Sequence, residues 1–116
     1  MRGAYKLKWH QVITVIIVAC VCLLGLTGCG SGAAITAAGT DGTKLFAAAG
    51  CSGCHALSAA NATGTSGPNL DDLKPDQAAV ENQVKNGGGG MPAFESQLAP
   101  TQIAALAAFV AESAGR

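Results

Sequence analysis

The chain has 116 residues, equal numbers of basic and acidic side chains (7 of each) and a 49% hydrophobic fraction. That length holds one domain and excludes a multidomain enzyme with a deep, walled site. The balanced charge excludes the basic footprint of a nucleic-acid binder, but it is a cancellation. Residues 1–28 carry Arg2, Lys6 and Lys8 and no acid, whereas residues 29–116 carry four basic against seven acidic side chains.

Met1–Gln11 is polar and basic, and Val12–Leu26 is an uncharged, almost wholly apolar run. This is the pattern of an export signal. The run falls short of the roughly 20 apolar residues that a membrane span needs. Leu26-Thr27-Gly28-Cys29 follows and resembles a bacterial lipobox. That resemblance implies a signal peptide over 1–28, cleavage before Cys29, and diacylation of Cys29. Two acyl chains anchor a protein stably without spanning the bilayer. The expected location is therefore the extracytoplasmic face of the cytoplasmic membrane. Two alternatives stay open: retention of the segment as a short anchor, and cleavage before Cys20.

Residues 30–40 read GSGAAITAAGT, small and uncharged. Such composition predicts a flexible tether over 29–40, with an r.m.s. span of about 18 Å. An ordered N-terminal arm is the alternative. A domain is expected over 41–116. Asp41–Ala49 reads as a helix capped by Thr40 or Asp41 and ended by Gly50.

Cys20 and Cys22 fall in the signal and Cys29 at the lipid site, leaving Cys51 and Cys54 in Cys51-Ser52-Gly53-Cys54-His55. C-x-x-C-H is the attachment signal for c-type haem. Two thiols three residues apart on a helical turn can each bond one vinyl group of a porphyrin, and the adjacent histidine then supplies an iron ligand. Zinc needs about four ligands, more than this cluster offers. A thioredoxin-like pair needs a parallel sheet that the sequence does not suggest. A Cys51–Cys54 disulfide would close only a tiny loop.

Cys51–Leu57 is expected to continue as a helical turn, and 58–68, small and polar, as a loop. Asp71 and Asp72 read as solvated surface or a helix start. Pro75–Asn86 reads as a helix, with Pro75 in its first turn and Gly87 after its end. Gly87-Gly88-Gly89-Gly90-Met91-Pro92 then places a methionine in a loop whose glycines can approach a flat ring. Residues 29–116 hold one histidine, His55, and one methionine, Met91. A six-coordinate haem in one chain is therefore limited to His55 and Met91 ligation, which raises the reduction potential. Pro100–Ser113 is the clearest helix, with Ile103, Leu106, Ala107 and Val110 on one stripe.

CSGCH early in the domain, GPNL after it and GGGGMPAF before a final helix resemble the small class I monohaem cytochromes c. Short bacterial membrane-anchored members are especially similar. The resemblance spans 41–114. It implies an all-α fold with about three to four helices around one covalent haem c. It implies that Phe46 and Phe109 meet where the first and last helices cross. It also implies that the Pro68 carbonyl accepts from His55, and that Leu70 and Phe94 lie near the porphyrin. The chain departs from the family at Ala99, often a capping serine, which predicts a helix start weaker by about 1 kcal/mol. Trp9 and Tyr5 lie in the signal, so the domain offers no aromatic partner for a haem propionate; Asn69, Lys85 and backbone amides are candidates.

These readings converge on a monomeric one-electron carrier rather than an enzyme, although weak peroxidase activity is compatible with them. The expected partners are an electron donor and an electron acceptor among membrane redox proteins, met through an apolar docking face. One alternative is a five-coordinate haem sensor or peroxidase-like protein with a displaceable Met91. Another is an anchored redox or metal module without haem. The domain has about 14 bulky apolar side chains. A core in a domain below ~80 residues rarely supplies more than 3–5 kcal/mol, so the haem-free domain is expected to be unfolded or molten.

Overall fold

The computed structural model describes residues 31–116. Its order is α1 (Ser31–Ala38), α2 (Gly42–Ala48), a 3-10 turn (Cys51–Gly53), β1 (Ala56–Leu57), a 3-10 turn (Ser58–Ala60), β2 (Ala62–Thr63), α3 (Leu70–Leu73), α4 (Gln77–Asn86) and α5 (Pro100–Ser113). The expected signal peptide, Cys29 and Gly30 lie outside the described residues. Among the described residues, no helix is long and apolar enough to cross a membrane.

The tether expected over 29–40 is not what the structure shows where it describes that stretch. Residues 31–38 form a helix that packs on α2. Two facts explain the difference. Ile35 and Ala38 are one turn apart and both are buried in the common core. The Gln102 amide also donates to Ile35 O at 3.1 Å and Gly39 O at 2.9 Å. Alanine-rich sequence favours helix once tertiary contacts hold it.

Helix α2 starts at Asp41, whose carboxylate accepts from Lys44 N at 3.1 Å. It ends before Gly50, which takes the left-handed conformation at φ 78°. Helix α5 crosses α2, and Phe46 meets Phe109 edge to face, ring centroids 6.2 Å apart. That crossing needs Gly42: a Cβ there would collide with Phe109 Cβ and sit 2.8 Å from Ala105 O.

Helix α4 packs along α5 through Val80 and Val84. Its N-cap is Asp76, which accepts from Ala79 N at 2.8 Å, so Pro75 precedes the helix instead of opening it. At the start of α5, Ala99 offers no side-chain acceptor, but Gln102 Oε1 accepts from Ala99 N at 3.0 Å. Half of a capping box is thus present, which offsets part of the weakness expected at Ala99.

Segment 51–68 is more varied than a helical turn and a loop. The 3-10 turn stops at Gly53. Ala56 and Leu57 then pair antiparallel with Thr63 and Ala62 around Asn61, whose φ is 50°. The fold stays essentially all-helical, with five helices among the described residues and one two-residue strand pair.

Candidate functional site

Cys51 and Cys54 bracket the 3-10 turn. Cys54 N and His55 N both donate to Cys51 O, at 3.1 and 2.9 Å. Cys51 is the first residue of that turn and Cys54 its C-cap, so the two thiols belong to one turn. They are not bonded to each other. Cys54 is exposed, whereas Cys51 is half-buried against the core and burial pushes its thiol up to about 11.

His55 is held by its neighbours rather than by depth. Its Nδ1 donates to Pro68 O at 2.8 Å. A carbonyl can only accept, so the proton sits on Nδ1 and the Nε2 lone pair is left for a metal. Gly67 closes on the ring, and a Cβ there would lie 2.7 Å from Cε1 and 2.9 Å from Nδ1. Gly64 does the same behind the motif, where a Cβ would stand 2.5 Å from the Cys54 carbonyl carbon. The sequence reading passed over both glycines; their only signal was their place just after the motif and just before Pro68.

Met91 sits in a tight turn. Gly88 N donates to Met91 O at 2.9 Å and Met91 N to Gly88 O at 3.1 Å. The two residues between, Gly89 and Gly90, have φ of 62° and 90°. Positive φ at both central positions is the demand of a type I′ turn. At Gly87, a Cβ would meet Ala93 N and Met91 O at 2.7 Å. The glycines therefore answer the turn's own geometry, a reason the sequence reading did not give. Met91 is half-buried and packs against the same core cluster as Cys51. Leu70 and Phe94 are buried in that cluster. Asn69, an expected propionate candidate, instead caps α3 by accepting from Asp71 N at 3.0 Å. Lys85 pairs with Glu95 at 3.4 Å.

Asp71, expected as solvated surface or a helix start, has a further role. It does open a helix, but its carboxylate is bonded to protein. Oδ2 accepts from Ser58 N and Ser58 Oγ at 2.8 and 2.7 Å, and Oδ1 accepts from Gly115 N at 2.9 Å. These donors, the Gly115 amide foremost, hold its pKa below the usual carboxylate range.

The donor set fits haem c. It offers two free thiols on one turn, an imidazole oriented through Nδ1, and a thioether on a rigid turn. No group of three or more His, Cys, Asp or Glu side chains suited to a bare metal ion occurs among the described residues. Residues 37–110 match the family described as cytochrome c oxidase, cbb3-type, subunit III. The crystal structure of the c-type cytochrome SorU from Sinorhizobium meliloti is similar, with a TM-score of 0.62 and 44% sequence identity over 65% of this chain and 88% of that one. Among curated proteins there is no match. The chain belongs to the matched cytochrome family: it is a small c-type cytochrome of the monohaem class I kind, and its cofactor is covalently bound haem c.

Proposed function

We propose that the protein is a membrane-anchored one-electron carrier, with haem joined through Cys51 and Cys54 and iron ligated by His55 and Met91. The observation that carries this reading is the bond from His55 Nδ1 to Pro68 O, which commits the domain's one histidine to binding metal through Nε2. When bound, haem c supplies a reversible one-electron couple. The chain's own residues do the rest. Cys51 and Cys54 fix the cofactor in register, and Pro68 and Gly67 fix the imidazole plane. The glycine turn sets Met91, and Leu70 and Phe94 exclude water. His55 and Met91 would together hold the iron and leave substrate no open site, which supports a carrier over an enzyme.

Export and acylation at Cys29 are part of this proposal. In the sequence only Gly30 stands between Cys29 and α1, a spacing that favours a short connection to the anchor. The domain then stands close to the lipid surface instead of swinging on a long tether. Its partners are redox proteins of the same membrane. The acidic domain offers no lysine ring, and Leu73, 58% exposed, is the large apolar side chain left in solvent among the described residues. Docking is therefore mainly apolar, and association responds weakly to salt.

The test is a redox titration of the protein exported from a strain competent in cytochrome c maturation, followed by mass spectrometry. A reversible one-electron wave, with one haem on the 51–55 peptide and a diacyl group on Cys29, supports the reading. A five-coordinate ferrous form that takes up carbon monoxide without displacing a ligand overturns the carrier function. An N-terminus without lipid overturns the anchor.

A further inference from the structure

Three contacts join the segment after the second cysteine to the segment before α4. Gly67 N donates to Cys54 O at 2.8 Å. His55 Nδ1 donates to Pro68 O at 2.8 Å. Ser58 N and Oγ donate to Asp71 Oδ2 at 2.8 and 2.7 Å. Every pair is thirteen residues apart, so the two segments run side by side in one register, and His55–Pro68 is the middle rung. One rung next to it is a plain backbone bond. The other is a carboxylate with three donors, because Gly115 N closes on Oδ1 at 2.9 Å and ties in the chain end after α5. Hydrogen bonds to an ionised acceptor are about twice as strong as neutral ones. The charged rung is the stronger brace.

We propose that Asp71 is a positioning residue for the iron ligand: its carboxylate holds the two segments in register, and so sets the strength of the His55 Nδ1 bond to Pro68. This inference rests on the electron-carrier reading above and adds a determinant of its potential. A strong Nδ1–H bond makes the imidazole a better donor and favours ferric iron. Loosening the Asp71 rung lengthens that bond, weakens the donor and raises the reduction potential. The lowered pKa of Asp71 fits a carboxylate that stays ionised in this role.

The experiment compares wild type, Asp71→Asn and Ser58→Ala as exported holoproteins. Asp71→Asn also removes a negative charge, which by itself raises the potential. Ser58→Ala removes one donor at constant charge and keeps the comparison clean. The readouts are the potential and the exchange rate of the His55 Nδ1 proton relative to the Leu106 amide, a core reference. Losing a hydrogen bond of ordinary strength predicts Nδ1 exchange faster by about fivefold relative to that reference. The proposal expects this, with a raised potential, in both variants, the smaller effect in Ser58→Ala. Ile35→Ala, which removes core packing and touches no rung, serves as the control and is expected to leave the ratio unchanged. A wild-type ratio and potential in Ser58→Ala overturn the proposal even if Asp71→Asn fails to fold. A merely structural Asp71 would speed both protons equally, which also overturns it. Failure of the carrier reading shows separately, in wild type, as absence of a low-spin histidine-ligated haem.

Discussion

His55 Nδ1 lies 2.8 Å from the carbonyl oxygen of Pro68, thirteen residues further along the chain. The contact depends on Gly67, because the space a Cβ would fill belongs to the imidazole ring. Gly67→Ala is therefore expected to tilt or push out the ring. Overpacking of this kind costs about 1–3 kcal/mol. Denaturant unfolding of the holoprotein, followed at the haem band, measures the loss. An unchanged midpoint together with an unchanged Nδ1 proton resonance would show that the ring has room.

The acid side of the stability profile follows from two carboxylates. Asp71 is held below the usual range by Gly115 N and then by Ser58, and Asp41 by Lys44 N and then its side chain. A carboxylate with a lowered folded pKa contributes fully above the unfolded value of about 3.9 and loses that contribution as pH falls through the folded value. Asp71→Asn should thus lower the urea midpoint at pH 7, and the gap to wild type should narrow as pH falls below about 4. A gap of constant size from pH 7 to pH 3 would mean that the carboxylate charge does not matter.

The motif and the long helices were legible in the sequence because their signals are local. C-x-x-C-H is contiguous, and α5 carries its stripe and its proline start within fourteen residues. The Phe46–Phe109 contact and the place of Pro68 came from resemblance to a family, and the structure brings both pairs together. What could not be read depends on partners far along the chain. Residues 31–38 look like linker until Gln102 reaches back to Ile35 O, 67 residues away. Asp71 looks like solvated surface until Ser58 and Gly115 converge on it. Gly42 looks like an ordinary helix-start residue and Gly67 like a loop glycine until the atoms that crowd them are known.

Gln102→Ala removes both donors that hold the end of α1 and the acceptor at Ala99 N. Each ordinary bond contributes about 1 kcal/mol. Amide exchange over residues 35–39 should accelerate far more than exchange in α4, and protease cleavage before Gly42 should appear. In vesicles, energy transfer from a lipid-bound fluorophore to the haem should weaken as the arm lengthens. Unchanged protection over 35–39 would mean that Ile35 and Ala38 suffice to dock the helix.

The haem-free chain should be unfolded or molten. Among the described residues the large side chains Phe46, Leu45, Leu57 and Leu106 are fully buried, and alanine fills four further core positions, Ala38, Ala62, Ala107 and Ala114. Thiol labelling reports the state directly. In the folded arrangement Cys51 is half-buried, its thiol pushed up to about 11, while Cys54 is exposed. Alkylation of haem-free protein near pH 8 should proceed at nearly equal rates at the two cysteines. Slow labelling of Cys51 alone, with a cooperative unfolding transition, would show that the apoprotein already holds the fold.

The most direct measurement of the central claim is the optical spectrum of the oxidised protein, wild type against Met91→Leu. The account predicts a charge-transfer band from methionine sulfur to ferric iron in wild type, lost in the variant along with a fall in potential. A high-spin wild-type spectrum, or a band that survives in Met91→Leu, would contradict it.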